Sequence, residues 1–309
     1  MRLGAYVSTA ASPDLAGLLA RFRELEARGF ATAWVGQVFE HDALTLLALA
    51  GRETRRIELG SWVVPIQPRH PAVLAQQALT AQLACGGRLL LGIGASHEAV
   101  VVRRLGLDYA RPLSHMREVL AALRPLLAGE HAKLAGEHLR VSLALALPGV
   151  PPPPIFLAAL GPRMLELAGA RADGVALWLA GPRFVGGFAV PRIAQGAREA
   201  GRPIPRIACG LPVAVTANVE RARAATEQLL AGSARLPVYQ KVLAREGASR
   251  PSDVAILGDE EEVLRRLREL AGLGVTDFHA VPVPIPEEPG AVGRTLDRLA
   301  GLAAALAAD

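Results

Sequence analysis

The sequence predicts an α/β fold: a (β/α)8 TIM barrel with insertions. Three observations predict it. Strand-like and helix-like runs alternate along nearly the whole chain, the pattern of βα units and a parallel sheet. Eight strand-like runs occur in that order, which suits a closed barrel better than a doubly wound sheet. At 309 residues the length fits one such barrel. We read residues 1–309 as one barrel domain, with insertions near 98–153 and 237–256.

The elements follow from local pattern. Leu3 to Val7 alternates as a strand, and Asp14 to Arg28 places Leu15, Leu18, Leu19, Phe22 and Leu25 at helical spacing before Gly29. Phe30 to Gly36 is the second strand, Ala43 to Ala50 the second helix and Ile57 to Val63 the third strand. Pro71 to Ala84 is a helix stopped by Gly86 and Gly87, and Leu89 to Ile93 is the fourth strand. An excursion follows: helices over Glu98 to Arg104 and Ser114 to Leu127, then a small hairpin or loop over Lys133 to Val141. Pro151 to Pro154 is a stiff, extended spacer, followed at once by a strand at Ile155 to Ala158. The beat resumes with a helix at Arg163 to Arg171, a strand at Gly174 to Trp178 and a ragged helix over Phe184 to Ala200. Arg206 to Val215 is strand seven, and Val219 to Leu230 a helix. Pro237 to Ile256 breaks the beat as an insertion or lid. Asp259 to Ala271, Gly274 to Val281 and Val292 to Leu306 supply a helix, strand eight and the closing helix.

Composition narrows the function. Hydrophobic residues make up 51%, but charged residues and glycines interrupt them, so no run reaches the ~20 apolar residues of a membrane span. The chain begins directly on a strand, with no signal peptide expected. Cys85 and Cys209 are far apart and lack metal-ligand spacing, as expected of two buried thiols in a reducing cytoplasm. The net charge is +5, yet the basic residues form no run and aromatics are only 4%, so nucleic acid is not an expected partner. The charge favours an anionic small molecule.

The chemistry gathers at the carboxyl ends of strands, where barrels of this kind carry their sites. Strand three ends in Ser61-Trp62-Val63-Val64-Pro65, and strand four in Gly92-Ile93-Gly94-Ala95-Ser96-His97. The small residues of the latter let a planar ring approach the backbone, and His97 titrates near neutrality and can donate a proton. The alternative for His97 is a loop residue capping the helix at Glu98. Ala158-Ala159-Leu160-Gly161-Pro162-Arg163 joins a strand to a helix N-terminus, which suits a phosphate. Trp178 at the end of strand six lines the pocket or packs in the core.

Three segments carry a family resemblance: Leu59 to Pro65, Arg69-His70-Pro71-Ala72-Val73-Leu74-Ala75-Gln76, and Gly86 to Gly94. In order and spacing they resemble the third strand, third helix and fourth strand of the bacterial luciferase-like (luciferase-like monooxygenase) oxidoreductases. The branch most resembled uses coenzyme F-420, an 8-hydroxy-5-deazaflavin. The resemblance implies a non-proline cis peptide at Trp62-Val63 that props the ring. It implies cofactor contacts from Ser61, Trp62, Val63, Gly94, Ala95 and Ser96, and a phosphate turn at Ala158, Ala159, Leu160, Gly161 and Arg163. Arg69 and His70 fall at the family's helix entry, in a structural place. Relatives carry an acidic residue and a histidine after strand two, but this chain has Gln37-Val38 there. That departure argues against alcohol oxidation, which needs a base, and leaves Gln37 as a hydrogen-bonding group.

The expected function is therefore a reductase. Reduced F-420 would pass a hydride to an activated double bond, an enone or imine of a small organic substrate, with His97 and Gln37 as catalytic residues. A cytoplasmic homodimer and no metal are expected. The alternatives are an FMN-dependent monooxygenase and a non-catalytic flavin-binding barrel.

Overall fold

The structure is a computed structural model that describes residues 1–10, 14–147, 149–286 and 288–307. Eight parallel strands form the barrel: β1 (Arg2–Tyr6), β2 (Thr32–Val35), β3 (Glu58–Ser61), β4 (Leu89–Gly94), β5 (Ile155–Ala158), β6 (Gly174–Trp178), β7 (Arg206–Val215) and β8 (Asp277–Pro282). Each pairs with the next in parallel, and β1 pairs with β8 through Leu3↔Phe278 and Ala5↔Ala280, which closes the ring. Strands buried on both faces read as continuous apolar runs, as Leu89 to Ile93 does.

The helices start where the sequence supplies caps. Asp42 accepts from Thr45 N–H at 2.9 Å to start Ala43–Glu53, and Asp259 accepts from Glu262 N–H at 2.9 Å to start Glu260–Gly272. Glu260, Glu261 and Glu262 then lie in the first turn, favourable to the helix dipole. Proline occupies the first turn of Pro71–Ala84, Pro162–Arg171 and Pro237–Glu246. The excursion after β4 holds helices Glu98–Val101 and Pro112–Leu127 and an antiparallel hairpin, Ala132–Ala135 with Arg140–Leu143. Among the described residues no helix is long and apolar enough to cross a membrane.

Three elements depart from the expected boundaries. Strand three is broken: β3 ends at Ser61, and pairing resumes at Val64–Pro65 on Ile93 and Gly94. Between them the Trp62–Val63 peptide is cis. The segment read as an insertion or lid holds helix Pro237–Glu246, a 3₁₀ turn at Pro251–Asp253 and the start of a strand, Ile256–Gly258, on the edge of β7. The ragged helix 184–200 is a three-residue turn, a π-helical stretch over Val185–Ala189 around two glycines, and a regular helix, Val190–Glu199.

The barrel interior is layered. At its floor Arg206 pairs with Asp277 at 2.5 Å and Glu58 at 3.0 Å, and the two carboxylates hold its charge. Above lie Trp34, Phe156, Leu90 and Ala208. At the top Trp62 stacks on His279, with ring centroids 4.2 Å apart and planes at 14°. His279 is fully enclosed, and burial pulls its pKa down to about 3. The wall between β3 and β4 is tied by one hydroxyl: Ser61 Oγ accepts from Gly92 N–H at 2.8 Å and donates to Gly92 C=O at 2.9 Å.

Two predictions follow from this interior. Replacing Ser61 by Ala leaves Gly92's buried N–H and C=O without that hydroxyl, and denaturant melts should show a loss of ~1–3 kcal/mol. Below pH ~6.5 the unfolded chain takes a proton at residue 279 that the folded chain refuses. Stability should therefore fall on acidification, by at most ~1.4 kcal/mol per pH unit from this one group. His279→Phe keeps a flat ring against Trp62, and its melting temperature should decline less between pH 6.5 and 5 than the wild type's. Equal slopes would mean that His279 does not carry the effect.

Candidate active site

The carboxyl ends of β2 to β5 open on two cavities that meet at His97. The smaller, about 380 Å³, is lined by Trp62 and Val63 from the strand break, by Gly94 and Ser96 from the end of β4, and by Gln37, Val38 and Phe39 after β2. Val100 and Leu105 add apolar cover. Its one cation, Arg69, donates to Asp42 at 2.6 Å and is neutralised there. The chamber therefore presents apolar surface with few polar groups.

The larger cavity, about 1320 Å³, has the opposite character. Arg103, Arg235, Lys241 and Arg245 line it, against a single carboxylate, Glu98. The carboxylate of Glu246 is turned away to accept from Arg183 and Phe184 N–H at 3.2 and 2.7 Å. Leu160, Gly161 and Pro162 bring the start of helix Pro162–Arg171 into the same cavity, and no side chain caps that terminus. Its first N–H groups and dipole favour an anion.

His97 lines both cavities. It stands at the N-cap position of Glu98–Val101, but its ring makes no cap hydrogen bond there. The ring instead meets Tyr239, with Nε2 3.3 Å from the hydroxyl and centroids 5.4 Å apart at 70°. Burial pushes the His97 pKa below its ordinary value and the Tyr239 hydroxyl up to about 12. At neutral pH the pair is a neutral imidazole facing a neutral phenol.

The other expected site residues divide. Trp62, Val63, Gly94 and Ser96 come together on the small cavity, and Leu160 and Gly161 on the large one. A Cβ on Gly94 would lie 2.6 Å from Val63 Cγ2 and 3.2 Å from the Ala158 methyl, so glycine is required for this packing. Ser96 adopts φ 57°, and its C=O accepts from the Tyr109 hydroxyl at 3.2 Å. Ala95 faces neither cavity; its C=O accepts from Gln67 at 2.6 Å. Ser61 and Ala159 are buried in the barrel wall, and Arg163 is exposed and outside the lining of both cavities. Gln37 lines the small cavity, but its Oε1 accepts from Ala43 N–H at 2.8 Å, which leaves its NH₂ to address a ligand.

Sequence reasoning missed Tyr239, Lys241, Arg245, Arg235 and Arg103. Lys241 and Arg245 stand four apart and so on one helix face, a signal hidden by reading this segment as an insertion or lid. Among the described residues no group of three or more His, Cys, Asp or Glu could hold a metal. The arrangement can hold a flat, uncharged ring beside Trp62 and Val63 and negative charge along the basic cavity, with His97 between them.

An uncharacterised protein of Mycobacterium tuberculosis is 29% identical over 261 residues, covering 80% of this chain and 74% of the relative. The 5,10-methylenetetrahydromethanopterin reductase of Methanolobus tindarius is 30% identical over 178 residues, 57% of this chain and 54% of the reductase. The solved structure of the coenzyme F-420-dependent tetrahydromethanopterin reductase of Methanopyrus kandleri superposes with a TM-score of 0.82 at 23% identity, covering 97% of each chain; it shares the fold. The luciferase-like monooxygenase family model matches residues 1–277. With that match running from the first strand into the last, the chain belongs to the luciferase-like monooxygenase family.

Proposed function

We propose that this protein is an oxidoreductase that uses reduced coenzyme F-420 to reduce an activated C=C or C=N bond of a small organic substrate. The observation that carries the reading is the joining of an apolar chamber at Trp62 and Val63 to a basic cavity that opens on an uncapped helix terminus. The donor set fits a flat ring with a phosphorylated, multiply anionic tail. The name of the Methanopyrus kandleri reductase supports the same cofactor, and the names of both methanogen reductases support the same direction.

When bound, the reduced deazaflavin supplies the hydride. The protein's own residues do the rest. The N–H groups at the start of Pro162–Arg171 would hold phosphate, and Lys241 and Arg245 would hold tail carboxylates. Trp62 and Val63 would hold the ring, and Gly94 would leave the backbone open to its close approach. Val38, Phe39, Val100 and Leu105 exclude water from the chamber. His97, neutral at pH 7, points an N–H at the substrate atom where negative charge develops and relays a solvent proton to it. The reduced product thus gains one hydride and one proton. Gln37-Val38 leaves no imidazole at the end of β2 to serve as a base, which favours reduction over alcohol oxidation.

The test is parallel fluorescence titration of the protein with F-420, FMN and FAD. F-420 should bind at least about tenfold more tightly than either flavin. A Lys241→Glu, Arg245→Glu double variant should lose about tenfold or more, with a weaker salt dependence. Preference for FMN would move the reading to a flavin monooxygenase, and binding of none would remove it. In the loaded enzyme His97→Ala should lower kcat about 10²-fold with cofactor affinity unchanged, and His97→Gln, which keeps an N–H, should recover part of the loss. Because burial lowers the His97 pKa, wild-type kcat should be flat from pH 7 to 9.

A further inference from the structure

The helix Pro237–Glu246 does two things at once. Lys241 and Arg245 line the basic cavity, while Tyr239 reaches across to His97 at the edge of the apolar one. We infer that Tyr239 is a positioning residue: its hydroxyl donates to Nε2 of His97, so the neutral imidazole carries its proton on Nδ1 and offers that N–H to the substrate. The inference rests on the reductase reading for its catalytic consequence, but not for the tautomer itself.

The argument is one of donors and acceptors. A neutral imidazole has one N–H donor and one acceptor nitrogen, and the partner of one nitrogen decides where the proton sits. Tyr239 lies 3.3 Å from Nε2, and among the described residues no other hydrogen bond reaches the His97 ring. A phenol hydroxyl is a better donor than acceptor, and an unprotonated imidazole nitrogen is a strong acceptor. Donation from Tyr239 therefore satisfies both half-buried groups, whereas the reverse arrangement leaves the hydroxyl proton without its acceptor. The hydroxyl stays protonated throughout the working range, because burial holds it far above neutral pH. The ionic neighbours leave this pair alone. Asp42 takes Arg69, the Arg245 guanidinium lies 4.4 Å over the Phe188 ring, and Tyr109 is engaged with Ser96. Glu98, Arg103 and Lys241 share the basic cavity but make no hydrogen bond to the ring.

The experiment is a long-range ¹H–¹⁵N spectrum of the ¹⁵N-histidine-labelled protein without cofactor at pH 7.5, with His97→Ala used to assign the resonance. The wild type should show Nδ1 protonated and Nε2 as acceptor. Tyr239→Phe, which keeps the ring but not the hydroxyl, should move a substantial share of His97 to the Nε2–H form. Protonated Nε2 in the wild type, or an unchanged tautomer in Tyr239→Phe, overturns the inference. In the loaded enzyme the same variant should lower kcat about tenfold with KM for substrate and cofactor affinity nearly unchanged; unchanged kcat despite a changed tautomer overturns the positioning role. Failure to bind F-420 would remove the functional reading, while the cofactor-free spectrum would still decide the tautomer.

Discussion

The structure depends on how three indoles fit inside one eight-stranded barrel. Such an interior holds side chains but leaves no spare volume. Trp34, Trp62 and Trp178 fit because β1, β3 and β7 supply glycines beside them. A Cβ on Gly60 would lie 2.2 Å from Trp34, one on Gly4 2.7 Å from the same ring, and one on Gly210 within 2.9 Å of both Trp178 and Trp62. Each indole occupies the space that a neighbouring residue's side chain would have filled. The exchange sets the height of Trp62, and Trp62 with His279 makes the floor on which the candidate site stands.

Separation of charge follows from the same architecture. The barrel end is apolar because the interior beneath it is aromatic, and the one cation that reaches the small cavity is held by Asp42. Positive charge is displaced to the elements outside the barrel, chiefly the helix Pro237–Glu246 and the residues just before it. Basic surface thus lies on one side of His97 and apolar surface on the other. His97 and Tyr239 are neutral and half-buried between these regions, where a hydrogen bond counts for more than it does in water.

Much of this was legible in the chain. The alternation of Leu89 to Ile93 with its flanking helices announced the parallel barrel, and the Gly-Pro step at 161–162 announced a helix terminus at a strand end. Segments Leu59 to Pro65 and Gly86 to Gly94 carried the family likeness that the match over residues 1–277 bears out. The individual site residues were less legible. The family likeness implied a ligand contact from Ser61, but its hydroxyl is taken by Gly92. Arg163 looked like a phosphate partner because it follows Gly-Pro, but its side chain is exposed and away from the cavity. Adjacency in sequence places a backbone; it does not aim a side chain.

By itself the sequence determined the periodicities, the caps and the breaks, because these are local: they depend on neighbours within a few residues. Only the tertiary structure decided which distant residues meet. Tyr239 is 142 positions from His97, and Lys241 and Arg245 stand on a segment whose sequence shows an amphipathic helix only weakly. Closure of the ring brings His97, just past the end of β4, against that helix, and the contact depends on the packing of the whole barrel. No local signal encodes it, which is why the fold could be read along the chain while the pairing at the candidate site could not.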